Sequence, residues 1–126
     1  MTAPARLGPV LVVDDEVHLN LLVSSILKLH GCEVITAQNG QQGLDAVRER
    51  RDVKVIVTDL NMPVLDGFGM LNAVRALGVN APVIVLTARG DHRDQEQAST
   101  LGAHAFLTKP FSRQQLWELV EPLLQP

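Results

Sequence analysis

The sequence predicts an α/β domain in which one parallel sheet is covered on both faces by helices, and three observations carry that prediction. Residues 10–13, 53–57, 83–86 and 105–107 are short apolar runs with little polar alternation. Such runs suit strands buried on both faces, the habit of parallel sheets. Segments with helical apolar spacing lie between them, so strand alternates with helix. Turn residues punctuate the junctions: Asn39-Gly40, Asp66-Gly67, Gly78 with Asn80, and Gly102. A βαβ series with right-handed crossovers places helices on both faces, giving a three-layer sandwich.

The elements follow in order. Residues 1–9 carry a lone Arg6 and no long apolar stretch, and are expected to form a loose tail; residues 10–126 are expected to form the single domain. After the strand at 10–13, Leu19, Leu22, Val23 and Ile26 mark the first helix, and residues 33–37 a strand. Leu44 and Val47 mark a shorter second helix, and Phe68, Leu71 and Val74 a third after the strand at 53–57. Beyond the strand at 83–86, residues 91–101 offer only Ala98 and Leu101 as apolar anchors, so the fourth helix should be the most weakly docked. The strand at 105–107 precedes a last helix with a stripe of Leu116, Leu119, Val120 and Leu123. Ser112 and Gln115 form a capping-box signature at its start, and Pro122 lies near its end. That makes five strands and five helices.

Composition narrows the function. A chain of 126 residues has room for one core, and 46% hydrophobic content is ordinary for a globular fold. A formal net charge of -3 does not favour the sequence-independent phosphate contacts of nucleic-acid binding, so no direct nucleic-acid partner is expected. The longest apolar runs are strand-sized, far below the roughly 20 residues a membrane-spanning helix needs. Cys32, the single cysteine, reads as a small buried filler at a strand start and fits a reducing, cytoplasmic setting. His18, His30, His92 and His104 lack ligand spacing and read as solvated or capping residues.

The chemistry lies at the strand ends. The first run ends in Asp14-Asp15, the second in Thr58-Asp59, the third in Thr87 and the fourth in Thr108-Lys109. Ligands of open α/β sheets sit at the carboxyl ends of the strands, so three carboxylates, a hydroxyl and an ammonium should gather at one edge. Repulsion among the carboxylates calls for a divalent cation, the Lys109 ammonium or partial protonation. Mg²⁺ suits the first option, because it binds through one or two carboxylates and completes its shell with water and phosphate oxygens. Asp59 can then take a phosphoryl group as an acyl phosphate, Lys109 and the metal offsetting the charge on the transferring oxygens, and Thr87 donating a hydrogen bond to the product. Taken singly, Asp15 reads equally well as a helix cap, Thr87 as a satisfied hydroxyl and Lys109 as a solvated terminus. Those readings explain the coincidence at four strand ends poorly.

Four blocks in this order resemble a known family: Val-Val-Asp-Asp ending at Asp15, residues 59–67 (Asp-Leu-Asn-Met-Pro-Val-Leu-Asp-Gly), Leu86-Thr-Ala88, and Lys109-Pro-Phe111. The chain resembles the receiver domain of bacterial two-component response regulators, including the single-domain chemotaxis type, over nearly all of residues 10–124. The resemblance implies a flavodoxin-like fold with strand order 2-1-3-4-5. It implies Asp59 as phosphoacceptor, Asp14 and Asp15 as the acidic pair holding Mg²⁺, and Asn61 as a further metal ligand through its backbone carbonyl. Thr87 and Lys109 inherit the phosphate contacts, and Phe106 falls at the family's switch aromatic, whose bland alternative is a permanently buried core ring. Lys109-Pro110 is expected to be cis. Asn61 and Arg89 fall at the positions that modulate water attack on the acyl phosphate; the long cationic Arg89 is expected to hinder that attack and prolong the phosphorylated state.

The implied function is a phosphorylation-activated switch, not an enzyme acting on other substrates, since it catalyses only its own phosphorylation and dephosphorylation. The implied donor is a histidine kinase or a histidine phosphotransfer protein. A downstream protein or output domain would read the face made by the fourth helix, fifth strand and fifth helix, which also offers a dimer contact. Trp117 reads either as an edge-of-core residue or as a partner contact on that face. Two rivals exist. An aspartate-nucleophile phosphatase needs an acid/base aspartate two positions beyond Asp59, where Asn61 stands. A flavin-binding module needs glycines and hydroxyls in its first loop, where Asp14-Asp15 would repel a phosphate.

Overall fold

Hydrophobic patterning of both parities in the strands decides the architecture. In β1, Val10 and Val12 face one side and Leu11 and Val13 the other, all at 0% exposure. A strand with two apolar faces must be covered twice, and helices do so here. The computed structural model describes residues 7–87 and 92–124. Its elements are β1 (Leu7–Val13), α1 (Val17–Leu29), β2 (Cys32–Ala37), α2 (Gly40–Glu49), β3 (Val55–Asp59), α3 (Gly67–Ala76), β4 (Val83–Thr87), α4 (His92–Thr100), β5 (Ala103–Thr108) and α5 (Arg113–Leu124). All strand pairs are parallel, in the order β2-β1-β3-β4-β5. This is the flavodoxin-like sandwich. One core packs α2, α3 and Ala98 of α4 on the sheet, and the other packs α1 and α5 on its opposite face.

The first strand starts earlier than the expected tail allows. Leu7 to Pro9 belong to β1: Leu7 pairs with Cys32, its N–H bonds the Gly31 carbonyl at 3.1 Å, and the register shifts before Val10. Pro9 cannot donate, so it falls where the ladder is irregular, and its carbonyl still accepts from Lys54 N–H at 2.9 Å. Asn39-Gly40 and Asp66-Gly67, which read as turns in the sequence, are helix starts. Asn39 accepts from Gln42 N–H at 2.8 Å and Asp66 from Gly69 N–H at 2.8 Å, satisfying orphan donors of α2 and α3. The Ser112–Gln115 box is present in both directions, at 3.0 and 2.8 Å. Pro122 sits inside α5 rather than ending it; Pro122 itself is exposed, and its ring costs the hydrogen bond to the carbonyl one turn back.

Trp117 of α5 meets the end of α1. It is half-buried against the α1/α5 core and stacks on His30, ring centroids 4.1 Å apart and planes 20° from parallel. His30 is the C-cap of α1, with Nδ1 2.9 Å from the Ile26 carbonyl. The pair ties the end of α1 to α5. Cys32 is buried at the start of β2, and burial raises its thiol pKa, so it is a packing residue.

The fourth helix has the weak apolar docking its sequence implies, with Ala98 buried and Leu101 half-buried. A cation from another helix compensates. Arg75 of α3 donates Nε to the Leu101 carbonyl at 3.0 Å, Nη2 to the Gly102 carbonyl at 3.3 Å and Nη1 to the Val79 carbonyl at 3.0 Å. Its guanidinium therefore sits on the negative end of α4, which has no basic residue in its own last turn. Gly102, at φ +87°, leaves room for it, since a Cβ there would lie 2.9 Å from Nη2. Replacing Arg75 with Met is expected to cost roughly 1–3 kcal/mol. Hydrogen exchange of the α4 amides should accelerate before that of the β3 amides; equal protection of α4 in variant and parent would refute the clamp.

Candidate functional site

Strand register, more than any single residue, assembles the site. Val13 of β1 is level with Thr58 of β3, so the next residues, Asp14 and Asp59, emerge side by side. β1 turns toward β2 on one side while β3, β4 and β5 run to the other, and the crevice opens at that switch point. Oxygens of Asp14, Asp15 and Asp59 lie within 4.8 Å of one another, the first buried, the second exposed and the third half-buried. Asp59 pairs with Leu86, so half-buried Thr87 emerges one residue beyond it, and Thr87 pairs with Thr108, which places Lys109 next. Lys109 N–H donates to the Thr87 carbonyl at 2.7 Å, and the Lys109-Pro110 peptide is cis.

Each carboxylate is oriented by backbone. Asp59 Oδ1 accepts the N–H groups of Leu60 at 2.6 Å and Asn61 at 3.3 Å, leaving Oδ2 toward Lys109 Nζ at 3.1 Å. Asp14 Oδ1 accepts Glu16 N–H at 2.9 Å. Its Oδ2 has no hydrogen-bond partner although Asp14 is 1% exposed, and its nearest cation, Lys109 Nζ, is 3.7 Å away. Burial raises the Asp14 pKa, with Asp59 and Asp15 adding to the rise and the Glu16 N–H and Lys109 opposing it. A buried carboxylate oxygen without a donor, facing two more carboxylates, is a place a cation would satisfy. The donor set, all oxygen, fits a hard divalent ion. Glu16, the N-cap of α1, makes no side-chain cap bond.

The loop after β3 is held close. Gly67 N–H donates to the Leu60 carbonyl at 2.9 Å, and a Cβ on Gly67 would meet the Asp59 carbonyl at 2.5 Å, so only glycine lets α3 start against the loop that follows Asp59. Within that loop Val64 has φ +72°, a left-handed conformation rare for a β-branched residue, and is 81% exposed. Replacing Val64 with Asn, which tolerates that conformation, is expected to stabilise the fold by about 1 kcal/mol. The melting temperature should rise by about 4 °C. An unchanged or lower melting temperature would contradict the strain argument.

Asp14, Asp15, Asp59, Thr87 and Lys109 thus converge, and Asn61 is exposed beside them. Phe106 is half-buried on β5, against the α2/α3 core. Arg89 lies outside the described residues. Sequence reasoning passes over Asn20, a buried polar residue on the inner face of α1 whose amide reaches the Asp14 carbonyl. Its signal is a carboxamide one turn before Val23, inside the apolar stripe.

Known proteins are similar to this chain in sequence and fold. The family model of the response regulator receiver domain matches residues 10–121. The chain belongs to that family. The receiver domain is 36% identical over 119 residues to the transcriptional regulatory protein CpxR homolog of Haemophilus influenzae, covering 94% of this chain and 51% of the relative. The chain spans about half the length of the first curated relatives it matches. It is 39% identical over 115 residues to the probable chemotaxis protein CheY of Rhizobium etli, covering 89% of this chain and 88% of that one. Among solved structures, the CheX-CheY complex with BeF3 and Mg²⁺ from Borrelia burgdorferi superposes with a TM-score of 0.87 at 26% identity, covering 94% of this chain and 90% of that one. Among the described residues, no helix is long and apolar enough to cross a membrane.

Proposed function

We propose that this receiver domain accepts a phosphoryl group on Asp59 from a histidine kinase or histidine phosphotransfer protein, with Mg²⁺ in the acidic pocket, and thereby switches a partner-binding surface. The observation that carries the reading is the constellation of Asp14, Asp15, Asp59 and Lys109 around one buried, unsatisfied carboxylate oxygen. Asp59 Oδ2, free of backbone donors, forms the bond to phosphorus as the donor's P–N bond breaks; the imidazole leaves with the electron pair and takes up a proton. Lys109 Nζ, already 3.1 Å from Oδ2, offsets the charge that spreads over the transferring oxygens. Bound Mg²⁺ would supply further positive charge there, held by Asp14, Asp15, Asp59 and the Asn61 carbonyl. Hydrolysis of the acyl phosphate returns the domain to rest, so its catalysis concerns only its own modification. Arg89, two residues beyond Thr87, is assigned to slowing that hydrolysis.

The switch is a population shift in which Thr87 engages the phosphoryl group, Phe106 turns inward and the weakly anchored α4 repositions. The α4/β5/α5 face is then read by a downstream protein, an output domain or a second copy. A cytoplasmic setting accords with the unpaired Cys32.

A protein donor is favoured by α1. Among the described residues, four of the five exposed large hydrophobics, Val17, Leu21, Leu22 and Leu29, lie on this helix. A groove of about 340 Å³ runs from Leu19 and Leu22 to Lys109, Pro110 and Phe111, bringing the apolar surface to the edge of the site. Replacing Leu22 with Ser is expected to slow transfer from a phosphorylated histidine protein about tenfold while leaving acetyl phosphate reactivity unchanged, since a contact worth about 1.4 kcal/mol acts only on the docked donor. The overall reading is tested with acetyl phosphate and Mg²⁺ by intact mass. A gain of one phosphoryl group, lost in chelator and released by hydroxylamine, supports it; an adduct that forms equally in chelator overturns it.

A further inference from the structure

We infer that Asn20 is a positioning residue for the metal pocket, setting cation affinity through the backbone of Asp14; the inference rests on the reading of that pocket as a Mg²⁺ site. Asn20 is 6% exposed on the inner face of α1, where Val23, Ile26 and Leu27 are otherwise packed apolar. A buried amide is costly in such a place unless it is bonded. Its Nδ2 donates to the Asp14 carbonyl at 3.2 Å and the Ala37 carbonyl at 2.9 Å, and its Oδ1 accepts from Ser24 Oγ at 3.4 Å. The amide orientation is forced, because both carbonyls can only accept. Ser24, itself 3% exposed, fills the remaining side.

The two carbonyls are those with which β1 and β2 leave the sheet. Asp14 N–H donates to the same Ala37 carbonyl at 3.1 Å, the last rung between the two strands. Asn20 therefore closes the ladder beyond its end and holds the peptide between Asp14 and Asp15 in one orientation. That peptide sets the direction of both acidic side chains. Asp14 is then held at three points: its N–H by Ala37, its carbonyl by Asn20 and its Oδ1 by the Glu16 N–H. What stays unanchored is Oδ2, the oxygen that faces the pocket. A leucine at position 20 would extend the apolar face of α1 and keep the branching at Cγ, but it would release the Asp14 carbonyl.

The test compares Asn20→Leu and Ser24→Ala with Val23→Ala, which damages the same face of α1 without touching Asp14. Mg²⁺ affinity is read by calorimetry and by the melting-temperature rise that Mg²⁺ produces, with acetyl phosphate labelling at saturating Mg²⁺ alongside. Asn20→Leu is expected to weaken Mg²⁺ binding about tenfold, as loss of a group that orients a ligand does. Ser24→Ala should weaken it less, in the same direction, and Val23→Ala should lower the melting temperature with Mg²⁺ affinity unchanged. Labelling at saturating Mg²⁺ should persist in all three. Equal Mg²⁺ affinity in Asn20→Leu and the parent, or an equal loss in Val23→Ala, would overturn the assignment. Should Asn20→Leu fail to fold, Ser24→Ala against Val23→Ala decides by the same comparison. Failure of the unsubstituted protein itself to bind Mg²⁺ would instead overturn the reading of the pocket.

Discussion

Replacing Asp59 with Asn is expected to abolish the phosphoryl adduct completely while leaving the fold intact. The substitution preserves shape, and the amide oxygen can still accept from Leu60 and Asn61 N–H, which now hold Asp59 Oδ1 at 2.6 and 3.3 Å. What disappears is the anionic Oδ2 that faces Lys109 and would bond to phosphorus. Because Asp14 and Asp15 remain, the variant should retain weakened Mg²⁺ binding, so loss of the nucleophile is separable from loss of the cation. Intact-mass measurement after acetyl phosphate treatment checks the first, and a Mg²⁺ titration the second. An adduct that persists in the Asp59→Asn variant would place the nucleophile elsewhere. Chelator should reproduce the chemical defect in the unsubstituted protein.

The Asp14→Asn exchange should move stability in opposite directions with and without Mg²⁺. Burial lifts the Asp14 pKa above the ordinary 3.8, so the native state holds a proton where the unfolded chain has lost it. Its favourable contribution is present below the ordinary value and is lost as pH rises through the lifted one. At neutral pH without a cation, the ionised group is a cost. Asn keeps an acceptor for Glu16 N–H and removes a charge whose Oδ2 has no donor. The variant should therefore be roughly 1–3 kcal/mol more stable in chelator. The decline of stability with rising pH above the ordinary carboxylate range should also flatten. With Mg²⁺ at about a hundred times its dissociation constant, the parent should gain about 2.7 kcal/mol. The variant should gain much less. Denaturant melts at several pH values, in chelator and in Mg²⁺, provide the check; a variant less stable in chelator, or one that responds fully to Mg²⁺, would contradict the account.

Both predictions use residues legible in the amino-acid sequence, because each stands where an apolar strand ends. Strand ends are local: a run of Val, Ile and Leu stopping at Asp14 or Asp59 is visible along the chain, as is the Ser112–Gln115 box. Helix starts at Asn39 and Asp66 read as turns, since the same residues serve both uses and only the bond to the N–H three positions on distinguishes them. Leu7 to Pro9 read as tail because Gly and Pro break most strands, whereas here they occupy an irregular stretch of β1. The Arg75 clamp, the His30–Trp117 stack and the Asn20 bridge each join separate elements, reaching 27, 87 and 17 positions along the chain at their longest. No pattern within one element announces them.

The layered α/β architecture, and the identity of the charged and hydroxyl groups available for chemistry, are written in the chain, because periodicity and strand termini are properties of neighbours along it. How those groups meet is a matter of tertiary structure: the register that brings Asp14 level with Asp59, the oxygen of each carboxylate left free, and the amide that steadies the Asp14 peptide. The physical reason is that a carboxylate's chemistry depends on its distance to other charges and on which lone pairs are already taken. Both are settled only when strands far apart in sequence lie side by side and water is excluded between them.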